Sequence, residues 1–369
     1  MERRLWISTG SGPLYPNLFT LLVGPAGIGK GTALRKSRLL IKAVKELKLS
    51  PTNMSGAACI DALVGANRKI VDMQRLPPYL EYNSLFIHIP EFSTLLPIYE
   101  SDLLATLTDL YDCQTFEEKK RTNKTEIIIP NPQFNMLAGT TPSYLNQLMP
   151  AGAWDQGFIS RVIMVFSGER IIKDIGLDIT EEEKEHPLWL GLIDDLQKIA
   201  NLYGKIAWQP EAAAAMNAWH KAGGPPVPNH PKLQHYVSRR SAHLMKLCMV
   251  VSVSRGDDLN ITVEDYQTAQ SILLETEFYM GDIFKAMVTG GDSASMDEVF
   301  HYVFNTYMAR KFQPLSQAEI VTFIQTKVPA HSVMRVLEIM VRGNMLEVTG
   351  ADNRGLPLYK PMAKQLHAT

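Results

Sequence analysis

"LLVGPAGIGKGT", residues 21–32, passes from apolar residues into a glycine-rich turn and then reaches a lysine. The spacing fits the phosphate-binding loop G-x-x-x-x-G-K, in which Ser or Thr ordinarily follows the lysine at once. Here Gly31 follows Lys30, and Thr32 comes one place late. Upstream, "LFTLLV" (18–23), bounded by Pro16 and Gly24, reads as a buried parallel strand. Downstream, "KGTALRKSRLLIKAVKELK" is rich in Leu, Ala, Lys and Arg and predicts a helix. In that order, strand, loop and helix aim the loop N–H groups and the helix N-terminus at phosphate oxygens. The expected nucleotide-binding set is therefore Gly24, Pro25, Ala26, Gly27, Ile28, Gly29, Lys30, Gly31 and Thr32. The glycines let the backbone approach, Lys30 sits over the β- and γ-phosphates, and Thr32 is the hydroxyl available to Mg²⁺. A glycine-rich turn that binds nothing is the plainer alternative.

Three further apolar runs predict the rest of a parallel sheet covered by helices on both faces: "SLFIHI" (84–89), "FNMLAGTT" (134–141) and "RVIMVF" (161–166). The first ends in Pro90-Glu91. A strand end of this kind usually carries Asp then Glu, the Asp helping to hold Mg²⁺ and the Glu orienting the attacking water. Pro90 takes the Asp position, so Glu91 is the candidate for water activation, with capping of the following turn as the alternative. Thr140 and Thr141 leave the same edge of the sheet, where ligands bind in open α/β sheets. They are candidate γ-phosphate sensors, or simply a turn before Pro142. Arg161 opens its strand after "AGAWDQGFISR" and is a candidate finger on a neighbouring subunit's nucleotide, a role worth about 10³–10⁵ in rate. Arg239 and Arg240 lie beside an apolar stripe (Val237, Leu244, Leu247, Val251) and by themselves read as snorkelling surface residues. In "EEKKRTNKTEI" (117–127), Lys119, Lys120, Arg121 and Lys124 could track phosphates at a hairpin tip or could form a solvated loop.

Composition narrows the classes. In 369 residues there are 37 Lys+Arg against 38 Asp+Glu, so a nucleic-acid site must be a local patch. Cys59, Cys113 and Cys248 are scattered, which favours a reducing, cytoplasmic compartment. No apolar run nears the ~18 residues that span a bilayer, and "MERRLWISTGSG" lacks a signal-peptide core. No membrane partner is expected. The nine histidines show no zinc spacing.

Beyond residue 168 the acidic "TEEEKEHP" leads into a mainly helical region up to about 285, interrupted by the loop "GGPPVPNHP" (223–231). "VTGGDSAS" (288–295) reads as a linker. Two helical stretches follow, "SQAEIVTFIQTKV" and "HSVMRVLEIMVRG". After them "NMLEVTGADNRGLPLYKP" gives strand, turn and strand, the outline of a winged helix-turn-helix. His331, Arg335 and Arg354 are its candidate DNA contacts, with a protein–protein module as the alternative. The expected domains are 1–170, a P-loop ATPase core; 171–287, a helical lid-like region; and 293–369, the winged helix.

As an ordered set, these parts resemble the helicase-like AAA+ domain of phage and mobile-element replication proteins. The stretches that carry the likeness are "LYPNLFTLLVGPAGIGKGTAL", "IPEFSTLL", "LYDC", "NPQFNMLAGTTPSYL" and "GFISRVIMVF", together spanning roughly residues 4–170. More distantly, "ISRVIMVF" is similar to the arginine-finger segment of minichromosome-maintenance helicases. "VSRRSAHLMKL" is similar to their sensor-2 helix, a match that favours Arg239 over Arg240. The resemblance implies a homo-oligomeric ring of six, with ATP and Mg²⁺ between Lys30 and Glu91 of one subunit and Arg161 of the next. It also implies that the 117–127 loop points into the pore as a hairpin on single-stranded DNA. The function expected is an ATP-driven DNA motor, a replicative helicase or remodeller. A nucleotide-gated loader or initiator that hydrolyses poorly is the alternative, because Pro90 and Gly31 both weaken support for the metal. The G-K-G-T variant is also familiar from adenylate-type nucleotide kinases, a third class that would need neither the length nor the winged helix.

Overall fold

A computed structural model describes the chain apart from residues 74–75, 98–100, 121–124, 149–156, 170–186, 327–332, 354 and 363–369. Two units emerge, Met1–Ile283 and Phe284–Thr369. The first begins with β1 (Leu5–Thr9), β2 (Gly12–Leu14), β3 (Phe19–Val23), α1 (Lys30–Ala43), α2 (Gly56–Val64), β4 (Asn67–Val71) and β5 (Tyr79–Ile89). Next come α3 (Ser101–Tyr111), β6 (Phe116–Lys120), β7 (Thr125–Ile129), β8 (Pro132–Thr140), α4 (Pro142–Leu148), α5 (Gly157–Ser160) and β9 (Val162–Phe166). The helical stretch holds α6 (Pro187–Asn201), β10 (Gly204–Lys205), β11 (Ala207–Trp208), α7 (Pro210–Lys221), α8 (Gln234–Val237), α9 (Arg240–Arg255), β12 (Asn260–Ile261) and α10 (Val263–Ala309).

The mixed α/β centre of the first unit is a five-stranded sheet in the order β4-β5-β8-β3-β9. β5, β8, β3 and β9 are parallel, while β4 pairs antiparallel with β5. β3 is a middle strand, and its alternate residues Phe19, Leu21 and Val23 are buried. Phe19 and Leu21 lie beside Met136 and Ala138 of β8, and the Phe19 ring packs against the rings of Tyr111, Phe134 and Phe158. Burial of each large side chain contributes about 1.5–3 kcal/mol relative to exposure. On the other face, Leu34 of α1 packs against the sheet at Gly139, where a Cβ would lie 3.0 Å from the leucine. β5 starts five residues earlier than "SLFIHI" suggests, because β4 supplies a partner for Tyr79–Asn83.

The expected linker at 288–295 is not one: the backbone of α10 is helical from Val263 to Ala309, and the boundary between the units falls inside that helix. Two adjacent glycines each cost about 1 kcal/mol in a helix, but propagation through them is far easier than starting anew.

In the second unit, α10 is followed by β13 (Leu315–Ser316), α11 (Gln317–Gln325), α12 (Val333–Arg342), β14 (Leu346–Ala351) and β15 (Pro357–Pro361). The strands form a sheet in the order β13-β15-β14. Val333, Val336, Leu337 and Met340 give α12 an i, i+3, i+4, i+7 buried stripe against Ile320, Ile324, Leu346 and Tyr359. Ser316 and Glu319 close a capping box at the start of α11.

Candidate nucleotide site

Four parallel strands bring their carboxyl ends to one edge of the sheet. Val23 lies beside Thr140 and Phe166, and Ile89 lies beside Ala138. The glycine loop, Pro90-Glu91, Thr140-Thr141 and Ser167 therefore share this edge. Because β8 lies between β3 and β5, Thr140 stands between the loop and Glu91.

The loop is shaped by its glycines. Gly27 and Gly29 have φ of +78° and +106°, backbone that a side chain strains. Gly24 sits so close to β9 that a Cβ there would lie 2.6 Å from the Ser167 carbonyl oxygen. Its N–H donates to the Thr140 carbonyl at 3.3 Å. Among the described residues, no backbone N–H of residues 26–31 donates a hydrogen bond to another residue. Such N–H groups at the start of a 14-residue helix are of the kind that can receive an anion. Lys30 Nζ donates to the carbonyls of Gly24 at 2.7 Å and Pro25 at 2.8 Å. Burial lowers its pKa below the ordinary lysine value, while the Glu91 carboxylate pulls it upward. Those two groups therefore face each other's fields across the edge.

Glu91 is exposed, and its side chain makes no cap to the turn it precedes. The Thr141 hydroxyl accepts from the Tyr144 N–H at 3.3 Å and so starts α4. Thr140 is 1% exposed, and its hydroxyl has no partner among the described residues. Thr32 is exposed on the first turn of α1, within 3.4 Å of the Arg35 guanidinium. The described residues contain no group of three or more His, Cys, Asp or Glu able to hold a metal.

Arg161 lies at the opposite end of the sheet. It immediately precedes β9, whose first residue pairs with Phe19 at the start of β3. A five-residue strand separates it from its own glycine loop, about 17 Å at about 3.3 Å per residue. Arg161 is 8% exposed; its guanidinium donates to Asp112 Oδ2 at 2.5 Å and to the Gly157 carbonyl at 2.9 Å. Arg239 reaches the other oxygen of the same carboxylate, Asp112 Oδ1, at 3.1 Å. Arg240 is no surface residue. It is 2% exposed, paired with Glu277 at 2.6 Å, and donates to the Gly224 and Pro226 carbonyls. That is a structural role, fastening α9 to α10 and to the proline-rich loop within the first unit.

The motifs do not single out Asp112, Tyr111, His243 or Lys246, which the fold brings together here. His243 Nε2 donates to the Ser160 carbonyl at 2.9 Å and its Nδ1 lies 3.3 Å from the Tyr111 hydroxyl, an arrangement for a neutral ring. Burial lowers its pKa to about 3. Lys246 Nζ donates to Asn17 Oδ1 at 2.8 Å and lies 3.7 Å from the centre of the Tyr111 ring; burial lowers its pKa to about 7. The polar residues at i, i+3 and i+6 in "RSAHLMK" were the available signal.

The basic stretch 117–127 forms an antiparallel hairpin of β6 and β7, with Lys119 opposite Glu126 at 3.8 Å. Glu117 and Glu118 share the first strand with Lys119 and Lys120, so the described part of the hairpin is of mixed charge. The Lys120 side chain, Arg121 and Lys124 lie outside the described residues, as do His331 and Arg354. Arg335 is exposed on α12. No described helix is long and apolar enough to cross a membrane. No protein-family model matches this chain, and no curated protein matches it either.

Proposed function

We propose that the chain is an ATP-driven DNA motor whose active sites are shared between neighbouring copies in a ring, a replicative helicase or remodeller of a phage or mobile element. The observation that carries this is the separation of two half-sites. A glycine loop with Lys30 and Glu91 occupies one edge of a parallel sheet, and an arginine pair occupies the other. A group about 17 Å away along a strand cannot reach its own loop, so Arg161 and Arg239 serve a site on the next subunit. Residues 24–31, Lys30 among them, would hold the triphosphate, and Thr32 would offer its hydroxyl to the accompanying Mg²⁺. The metal supplies charge neutralisation at the phosphates. Glu91, exposed at the same edge, would orient the attacking water. Thr140 lies between loop and acid, placed to report on the terminal phosphate. The β6–β7 hairpin is the DNA-tracking element, and the helix–helix–hairpin order of the second unit supports a winged-helix reading.

Pro90 favours one competing reading, an ATP-gated loader or initiator. With Pro90 in the usual Asp position, Thr32 is the one protein group of this loop and strand end that would hold Mg²⁺, so the protein's support for the metal would be weak. Turnover separates the two. A motor hydrolyses ATP faster when single-stranded DNA is added, and Lys30→Ala abolishes that activity. Nucleotide binding without DNA-stimulated hydrolysis would instead identify the gated scaffold.

A further inference from the structure

We propose that Asp112 is an internal latch that occupies, in a lone subunit, the place taken on assembly by the terminal phosphate of the neighbour's nucleoside triphosphate. This rests on the shared-site reading above. One carboxylate bridges both arginines, Oδ2 to Arg161 and Oδ1 to Arg239. A carboxylate fork and a phosphate present similar oxygen pairs to guanidinium groups. The side chain of Arg161 is 9% exposed, whereas that of Asp112 is 42% exposed. An anion arriving from outside therefore meets the carboxylate first, and Arg161 becomes available only when that pair opens. The displacement is favourable on charge grounds: two guanidiniums share a single negative charge, and Arg161 Nε is buried with no partner among the described residues. A phosphate bearing more charge and more acceptors satisfies what Asp112 cannot.

The frame beneath the latch is firmly held. His243 ties α9 to the Ser160 carbonyl, and Lys246, Asn17 and Tyr111 tie α9 to the end of α3. Opening thus requires side-chain rotation only.

The test is Asp112→Asn in the full chain, with ATP turnover followed over a protein-concentration series. The concentration at which turnover appears should fall about fivefold, the effect of removing one competing half-exposed charge pair. Asp112→Ser is the second variant, and thermal denaturation reports whether each is folded. If Arg161→Ala is inactive yet neither folded Asp112 variant lowers the threshold, the latch is wrong and the shared site stands. If Arg161→Ala retains full turnover, the shared site fails and the latch with it.

Discussion

Lys246 and His243 are buried ionisable groups without a full counter-charge, and their titration gives the residue scale its test. His243 falls from 6.5 to about 3 and Lys246 from 10.5 to about 7. Between those limits the unfolded chain carries the proton and the folded chain does not. Stability therefore rises with pH through each window, by up to about 1.4 kcal/mol per unit per group. Urea unfolding from pH 7 to about 8.5 should show this rise in the wild type and a flatter profile in Lys246→Met; above that range the buried thiols of Cys59 and Cys248, raised by burial to about 12, pull stability down in both. Equal slopes up to that pH would remove Lys246 as the source. Their spacing in "RSAHLMK" is the one hint in the chain, and a weak one, since a histidine or lysine on an otherwise apolar helix reads as a solvent-facing position. What distinguishes them is that Asn17, Tyr111 and Ser160, from distant segments, converge on them. Lys30 was legible for the opposite reason, because its chemistry is encoded in six consecutive neighbours.

At the scale of elements, the glycine loop and the capping box yield predictions of contrasting kinds. Gly24→Ala places a methyl group against the Ser167 carbonyl. It should weaken ATP binding and lower stability together, which isothermal titration and thermal denaturation can follow in parallel. Ser316→Ala removes a reciprocal cap at α11 and should cost about 1 kcal/mol of unfolding free energy, with no change in ATP affinity. The strands and helices that proved legible were those with strong periodicity: the alternation of Phe19–Val23, the run before Pro90, the stripe of α12. The stretch 288–295 misleads because glycine and serine look like a linker locally, while the helix on either side decides their conformation. Tyr79–Asn83 went unread because strand pairing with β4 lies outside any local pattern.

The whole molecule places charge and chemistry on separate features: a glycine loop with Lys30 at one sheet edge, an arginine pair on Asp112 at the other, and a two-stranded hairpin whose first strand begins four residues after Asp112. Replacing Lys119, Lys120 and Arg121 with Ala should weaken single-stranded DNA binding. It should also flatten the salt dependence by about 2 in log–log slope, since each phosphate left without its cation removes about 0.7. An unchanged slope would remove the hairpin from the DNA path. The two-edged arrangement was legible only as an order of motifs; that Arg161 and Arg239 meet on Asp112 depends on three segments meeting in space. The most direct test of a shared site is to mix two variants, each inactive alone. Lys30→Ala keeps Arg161, and Arg161→Ala keeps Lys30. In a shared site the mixture contains interfaces with both residues intact, so DNA-stimulated ATP turnover should return to about a quarter of the wild-type rate, the fraction given by random pairing at equal amounts. A mixture as inactive as its components would show that each subunit completes its own site and would contradict the account.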